Sequence, residues 1–193
     1  VLGFGLRYIS AAEAGELLGE GRVGLVPTET VLGLVAGKAG VSRLFEIKVR
    51  DPDKPIALLC RSAEEALALG RESSPLARSL ADCFWPGPLT LVLDAEGGGT
   101  VGVRVPAHPV TRAVLASHGG PLYATSANRS GESASRALED VDPAISIAVD
   151  FAVRGEPGSG EASAVVDLSG GNVRLLRATK SLTEDELARS AKG

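Results

Sequence analysis

Apolar and polar positions change period many times along the chain, and each change predicts a short element. Ser10-Ala-Ala-Glu13 is a capping box, a hydroxyl followed three residues on by a carboxylate, and it predicts a helix ending near Gly19 or Gly21. Val23–Val26 is a continuous apolar run, read as a buried strand stopped by Pro27. Val41, Leu44, Phe45 and Lys48 share one helical face, with Ser42 as the expected cap. Residues 56–60 predict a strand, Ser62-Ala-Glu-Glu65 opens a helix, and Ser74-Pro75 puts proline at the first position of another. That helix runs to the turn Trp85-Pro-Gly-Pro88. Leu89–Asp94 and residues 101–105 flank Glu96-Gly-Gly-Gly99 as a hairpin. His108-Pro109 starts a helix to about Ser117, and residues 121–125 return as a strand. Further strands are expected at 147–151, 164–168 and 173–176, and Thr183-Glu-Asp-Glu186 caps a last short helix. Strands joined by both helices and a tight hairpin predict a mixed sheet in an α/β (α+β) domain. With no internal repeat and no linker, residues 1–193 are expected to form a single domain, with 155–160 as a surface loop.

Composition narrows this picture modestly. A 44% hydrophobic and 23% charged chain can build its core without metals or staples. A net charge of −4 counts against a protein living mainly on contacts to a phosphate backbone. Cys60 and Cys83 both sit among apolar residues and are expected as buried, reduced thiols. With His108 and His118 as the two histidines and no clustered cysteines, no metal site is expected. No run approaches the ~20 apolar residues of a membrane helix, and no signal peptide is visible, so a cytoplasmic protein without membrane contact is expected.

Four segments carry polar groups that the fold alone does not require. Thr28, Glu29 and Thr30 follow a buried strand, where they suit either a ligand or a turn capped by hydroxyls. Lys48 and Arg50 bracket a helix end. They relieve exposed carbonyls there, or they offer a point charge beside a forked guanidinium to a polyphosphate. In Thr100-Val-Gly-Val-Arg-Val-Pro106, period-2 alternation puts Thr100, Gly102 and Arg104 on one face; Arg104 is then a bidentate clamp for a carboxylate, or a surface arginine. Tyr123-Ala-Thr-Ser-Ala-Asn-Arg-Ser-Gly131 ends a strand in hydroxyls and an amide, serving a ligand or an ordinary turn. Ser163 and Arg177 stand beside later strands. The chain has no P-loop, no Gly-x-Gly-x-x-Gly after a strand and no nucleophile elbow. A nucleotide would therefore be held by side chains converging from separate segments.

These segments, in this order, resemble the YrdC/TsaC family of threonylcarbamoyl-adenylate synthases. The matching pieces are Pro27-Thr-Glu-Thr-Val-Leu-Gly-Leu34, Lys48-Val-Arg50, Trp85-Pro-Gly-Pro-Leu-Thr90, Val103-Arg-Val-Pro106 with His108-Pro109, Thr125-Ser-Ala-Asn128 with Ser130-Gly131, and Ser163 with Val165-Val-Asp167. The resemblance implies a twisted mixed sheet whose concave face forms a basic cavity. It implies a nucleotidyltransferase that joins L-threonine, bicarbonate and ATP, with Mg²⁺ on the phosphates, into threonylcarbamoyl-AMP for the t6A modification of tRNA. By position, Lys48, Arg50, Ser126 and Asn128 would be catalytic. Thr28, Arg104, Ala124 and Ser163 would bind threonine, and Thr100 and Arg177, with Lys48, Arg50 and Ser126, the nucleotide. Transient contact with tRNA or the transferase machinery is the implied partnership. Leu32 stands where the family usually has Tyr, and Asp51 where it has Pro. Longer relatives carry a further C-terminal domain, so a lid within these residues would come from 155–160. The competing expectation is a module that binds double-stranded RNA or tRNA in the same cavity without catalysis.

Overall fold

A computed structural model describes residues 6–48, 56–71, 74–129 and 131–190. Ten strands among them form one mixed sheet. In chain order these are β1 (Tyr8–Ile9), β2 (Val23–Val26), β3 (Gly33–Ala36), β4 (Ala57–Leu59), β5 (Leu89–Asp94), β6 (Thr100–Arg104), β7 (Leu122–Ser126), β8 (Phe151–Val153), β9 (Ala164–Asp167) and β10 (Arg174–Arg177). Across the sheet they lie in the order β1-β8-β2-β3-β7-β4-β6-β5-β9-β10. The helices are α1 (Ala11–Gly19), α2 (Val41–Lys48), α3 (Ala63–Leu67), α4 (Pro75–Phe84), α5 (Pro109–His118), α6 (Pro143–Ala148) and α7 (Glu184–Ser190).

All but one of the predicted serine and threonine caps form. Ser10, Ser62 and Ser74 accept the amide N–H three residues on, at 3.2, 3.2 and 3.1 Å. Thr183 and Glu186 close a reciprocal box, with the Thr183 amide 2.7 Å from the Glu186 carboxylate. Ser42 is not a cap, because a 3₁₀ turn over Lys38–Gly40 runs straight into α2 and carries Ser42 inside the helix. Residues 147–151 are not one strand. Asp142 caps the helix α6 by accepting Ala144 N–H at 2.7 Å, Ile147 ends up 73% exposed on it, and β8 begins only at Phe151. Two short strands, β1 and β3, were not anticipated. Cys60 is buried and its thiol is pushed up to about 12, by burial and by the nearby Glu65 charge. Cys83 is exposed, contrary to expectation, since α4 turns Leu80 and Ala81 to the core and Cys83 to solvent.

The two halves of the sheet are covered differently. In β2, β3 and β8, alternate residues go to opposite layers. Val23, Leu25, Leu34, Ala36 and Ala152 pack with Leu44 of α2 and Ile145 of α6. Val26, Val35, Phe151 and Val153 pack with Ala14 and Leu18 of α1 and Val114 and Leu115 of α5. In β5, β6 and β9 only one phase is packed. Leu89, Leu91, Leu93, Val103, Ala164 and Val166 face α3, α4 and α7. On the other face Thr90, Val92, Gly102, Arg104 and Val165 meet a hollow.

The loop at 155–160 is strapped to the turn after β2 and to Arg136. Ser159 and Gly160 donate amides to Glu29 O and Thr30 O at 3.0 and 2.7 Å, and Arg136 Nε donates to Gly158 O at 2.6 Å. A Cβ at Gly158 would stand 2.4 Å from Thr28 O, so only glycine allows this approach.

Candidate active site

The bare phase of the sheet, with the ends of β3 and β7, walls a hollow of about 650 Å³, within the ~300–1,000 Å³ usual for small-molecule sites. Thr90 and Val92 come from β5, Gly102 and Arg104 from β6, Val165 from β9, and Ala124 and Ser126 from β7. Gly102 leaves the floor open, and its neighbours Ala57 and Thr90 stand at ordinary contact distance from where a side chain would begin.

Arg104 is buried at one end of the floor. Its Nη2 is paired with the Glu29 carboxylate and donates to Thr30 Oγ1 at 3.1 Å, while Nε donates to Gly87 O at 3.2 Å. Among the described residues, protein groups engage two of its three nitrogens and leave Nη1 for a ligand. A carboxylate that met both ends of this fork would have to displace Glu29. Glu29 also accepts the His108 amide at 3.2 Å. Burial alone would raise the Glu29 pKa, but the Arg104 charge and hydrogen bond, with help from backbone amides, hold it below the ordinary carboxylate range. The neighbouring hydroxyls form a one-way chain. Thr28 donates to Val31 O at 2.6 Å, so Thr30 must be the donor in the 2.9 Å Thr30–Thr28 contact. Both hydroxyl hydrogens are committed to the turn, and Thr28 offers a ligand its surface more than a donor.

At the opposite wall, β7 ends in a turn built on Asn128. The Lys48 ammonium donates to Ser126 O and to Asn128 Oδ1, each at 2.9 Å, and to Asn128 O. Ser126 Oγ donates to the same Asn128 Oδ1, and Asn128 Nδ2 donates to Glu132 O at 2.5 Å. An ammonium only donates and a carbonyl only accepts, so this fixes which way the amide points. Lys48 is itself buried, one layer behind the lining, and acts on the hollow through Ser126 and Asn128.

The third wall is the pair Thr90–Ser163, with hydroxyls 2.9 Å apart, backed by Arg177, whose Nε donates to Ser163 O at 2.6 Å and Nη2 to Ser163 Oγ at 3.3 Å. The register of β10 against β9 slips between Leu175 and Arg177, a bulge that brings the consecutive residues Leu176 and Arg177 both to the hollow. The Arg177 pKa is pushed down, first by partial burial and then by the positive charge of Arg104. Two cations that repel across a hollow favour an anion between them.

Of the residues expected from sequence, Thr28, Arg104, Ala124, Ser126, Asn128, Ser163 and Arg177 line this one hollow. Thr100 shares the face of Gly102 and Arg104 but lies exposed at the hairpin end, outside the lining. Arg50 lies outside the described residues, as do Asp51 and Ser130. Thr90, Glu132 and Leu176 were not anticipated as lining residues. Thr90 left a usable signal, a polar residue in the unpacked phase of an apolar strand. Among the described residues no three His, Cys, Asp or Glu side chains gather to hold a metal ion. No helix there is long and apolar enough to cross a membrane.

A wide mixed sheet with one face left bare over a polar, arginine-flanked hollow defines an α/β protein with a cavity of small-molecule size. The chain belongs to the Sua5/YciO/YrdC family, whose model, described as telomere recombination, matches residues 16–179. It is 38% identical over 174 residues to a Pyrococcus abyssi threonylcarbamoyl-AMP synthase, an alignment spanning 82% of this chain and 50% of that protein. It is 35% identical over 162 residues to the synthase of that name from Xanthomonas euvesicatoria, spanning 74% of this chain and 83% of the other. The crystal structure of P. abyssi Sua5 complexed with L-threonine superposes with a TM-score of 0.84 at 29% identity, covering 95% of this chain and 60% of that one. The chain thus spans about half the length of the P. abyssi synthase it matches.

Proposed function

We propose that this protein is an L-threonylcarbamoyladenylate synthase, a nucleotidyltransferase that makes threonylcarbamoyl-AMP and pyrophosphate from L-threonine, bicarbonate and ATP. The observation that carries this is the meeting, in one hollow, of Arg104 and the Thr90–Ser163 pair with the Lys48-braced Ser126–Asn128 turn and Arg177. The first group suits the carboxylate and hydroxyl of a small amino acid, and the second suits a polyphosphate. The synthases it resembles and the threonine complex of Sua5 support the same assignment. A cytoplasmic setting and a downstream tRNA acceptor belong with it.

The neutral threonine amine adds to CO₂, formed from bicarbonate by dehydration, and releases a proton to solvent as it becomes a carbamate. A carbamate oxygen then attacks the α-phosphorus of ATP, the bond from that phosphorus to the bridging oxygen breaks, and pyrophosphate leaves. Free carbamates revert quickly, so the residues' task is to exclude water and hold the nucleophile in line. No nucleophilic side chain is needed, because phosphoryl-type transfer asks chiefly for position and positive charge. Mg²⁺ enters with ATP on its phosphates. Thr28, Arg104, Ala124 and Ser163 take the threonine side. Ser126, Asn128 and Arg177 take the nucleotide, with Arg50 assigned there by sequence alone. Lys48 acts from behind the wall, fixing the Asn128 turn and lending it charge.

Pyrophosphate release is the test. With MgATP, bicarbonate and a panel of amino acids, threonine should give the fastest release. Lys48→Ala should slow it at least about tenfold, the loss expected for a charge-assisted hydrogen bond. Salt-sensitive tRNA binding without threonine-dependent turnover would replace this proposal with a non-catalytic RNA-binding module.

A further inference from the structure

We propose that Thr90 is the residue that selects for a hydroxyl on the amino-acid side chain, a role that rests on the function proposed above. Thr90 is 8% exposed and stands on the bare phase of β5, between two strands that carry other parts of the site. On the β9 side it is in register with Val165. On the β6 side the register is set by the pairs Val92–Gly102 and Leu91–Val103, and carrying it one step further puts Thr90 next to Arg104, with both residues lining the hollow. Neighbouring strands lie about 4.8 Å apart, so a small amino acid whose carboxylate meets Arg104 has its side chain over Thr90 and Ser163.

Hydrogen-bond accounting gives the hydroxyl pair its chemistry. Thr90 Oγ1 and Ser163 Oγ share one hydrogen bond at 2.9 Å, and Ser163 Oγ also accepts from Arg177 Nη2 at 3.3 Å. Two hydroxyls own two hydrogens and their mutual bond uses one. Whichever donates, one hydroxyl hydrogen is left, and among the described residues no protein acceptor takes it. A lone pair on Thr90 Oγ1 is also left. The pair therefore offers a donor and an acceptor side by side, which a ligand hydroxyl satisfies and a methyl group in its place does not. The Thr90 methyl lies 3.7 Å from the Cβ position of Gly102, on the floor of the hollow, so the hydroxyl is turned to Ser163. Such a site rejects an isostere by leaving its own polar groups unmatched.

The variants are Thr90→Val, which keeps the branched shape and removes the hydroxyl, and Thr90→Ser, which keeps the hydroxyl and removes the methyl. The reading is the ratio of kcat/KM for L-threonine to that for L-valine and for L-2-aminobutyrate, from pyrophosphate release, with KM for ATP measured alongside. Thr90→Val should lower the ratio about tenfold or more, with the ATP KM within twofold of wild type, and Thr90→Ser should keep the ratio. An unchanged ratio in Thr90→Val, a lost ratio in Thr90→Ser, or a loss that falls equally on ATP would overturn the assignment while leaving the proposed reaction standing. No amino-acid-dependent release from the wild type would overturn both.

Discussion

The sheet has a half that is covered on both faces and a half that is covered on one, and the sequence marks the difference. Every residue of β2 and β3 is buried, because helices lie above and below them. In β5 and β6, packed residues alternate with Thr90, Val92, Gly102 and Arg104, which meet the hollow. Continuous apolar runs build the platform, and alternation exposes the working surface. A polar residue on a covered strand would be an unmatched burden, whereas on the bare face it is free to serve a ligand.

Glycines on the two halves should respond in different ways to an added side chain. A Cβ at Gly24, on the covered half, would stand 2.1 Å from the Phe151 ring. Gly24→Val should destabilise the protein by about 3 kcal/mol or more, as overpacking does, seen as a fall in Tm. The first atom added at Gly102 meets nothing closer than 3.5 Å. Gly102→Ala should change stability by less than about 0.5 kcal/mol while weakening ligand binding, measured by calorimetry. Equal stability losses at the two sites would erase the distinction.

The Arg104–Glu29 pair sharpens it with an intermediate effect. Its side chains are 8% and 20% exposed, so Glu29→Gln should remove about 1.5–3 kcal/mol at neutral pH. The folded pKa of Glu29 is depressed, so its contribution is present in full above the ordinary carboxylate range and is lost as pH falls through the folded value. The gap between wild type and Glu29→Gln should therefore close in acid, as urea unfolding across pH 3–7 would measure. A gap that widened in acid would reverse the assignment of the charge. The smallest effect belongs to the outer edge of the same half. Arg174 is 60% exposed where it pairs with Asp167, and Arg174→Ala should cost no more than about 0.5 kcal/mol by the same unfolding measurement.

Much of this was legible in the residues themselves. The hairpin of β5 and β6 follows from two alternating runs around Gly97, Gly98 and Gly99, and parity puts Arg104 on one face with Gly102, but that this face meets the hollow comes from the covering helices and not from the strand. β3 was hidden because its four buried residues carry no alternation and directly extend Val31-Leu32. Large Ile145, Ile147 and Val149 alternate with small Ser146 and Ala148 like a strand, and only the Asp142-Pro143 cap betrays the helix. Lys48 stood out as a cation at a helix end. That its partners are the carbonyls of Ser126 and Asn128 is a matter of tertiary placement, which no local pattern encodes.

If the proposed function holds, the bare face of the sheet, and not the shallower groove beside Tyr8 and Arg154 at the far edge, receives amino acid and nucleotide together. A crystal structure with L-threonine and a non-hydrolysable ATP analogue tests it directly. The carboxylate is expected at Arg104 Nη1, the side-chain hydroxyl at Thr90 and Ser163, and the phosphates beside Ser126, Asn128 and Arg177. Either ligand bound in the groove at the far edge, with the hollow holding solvent, would contradict it.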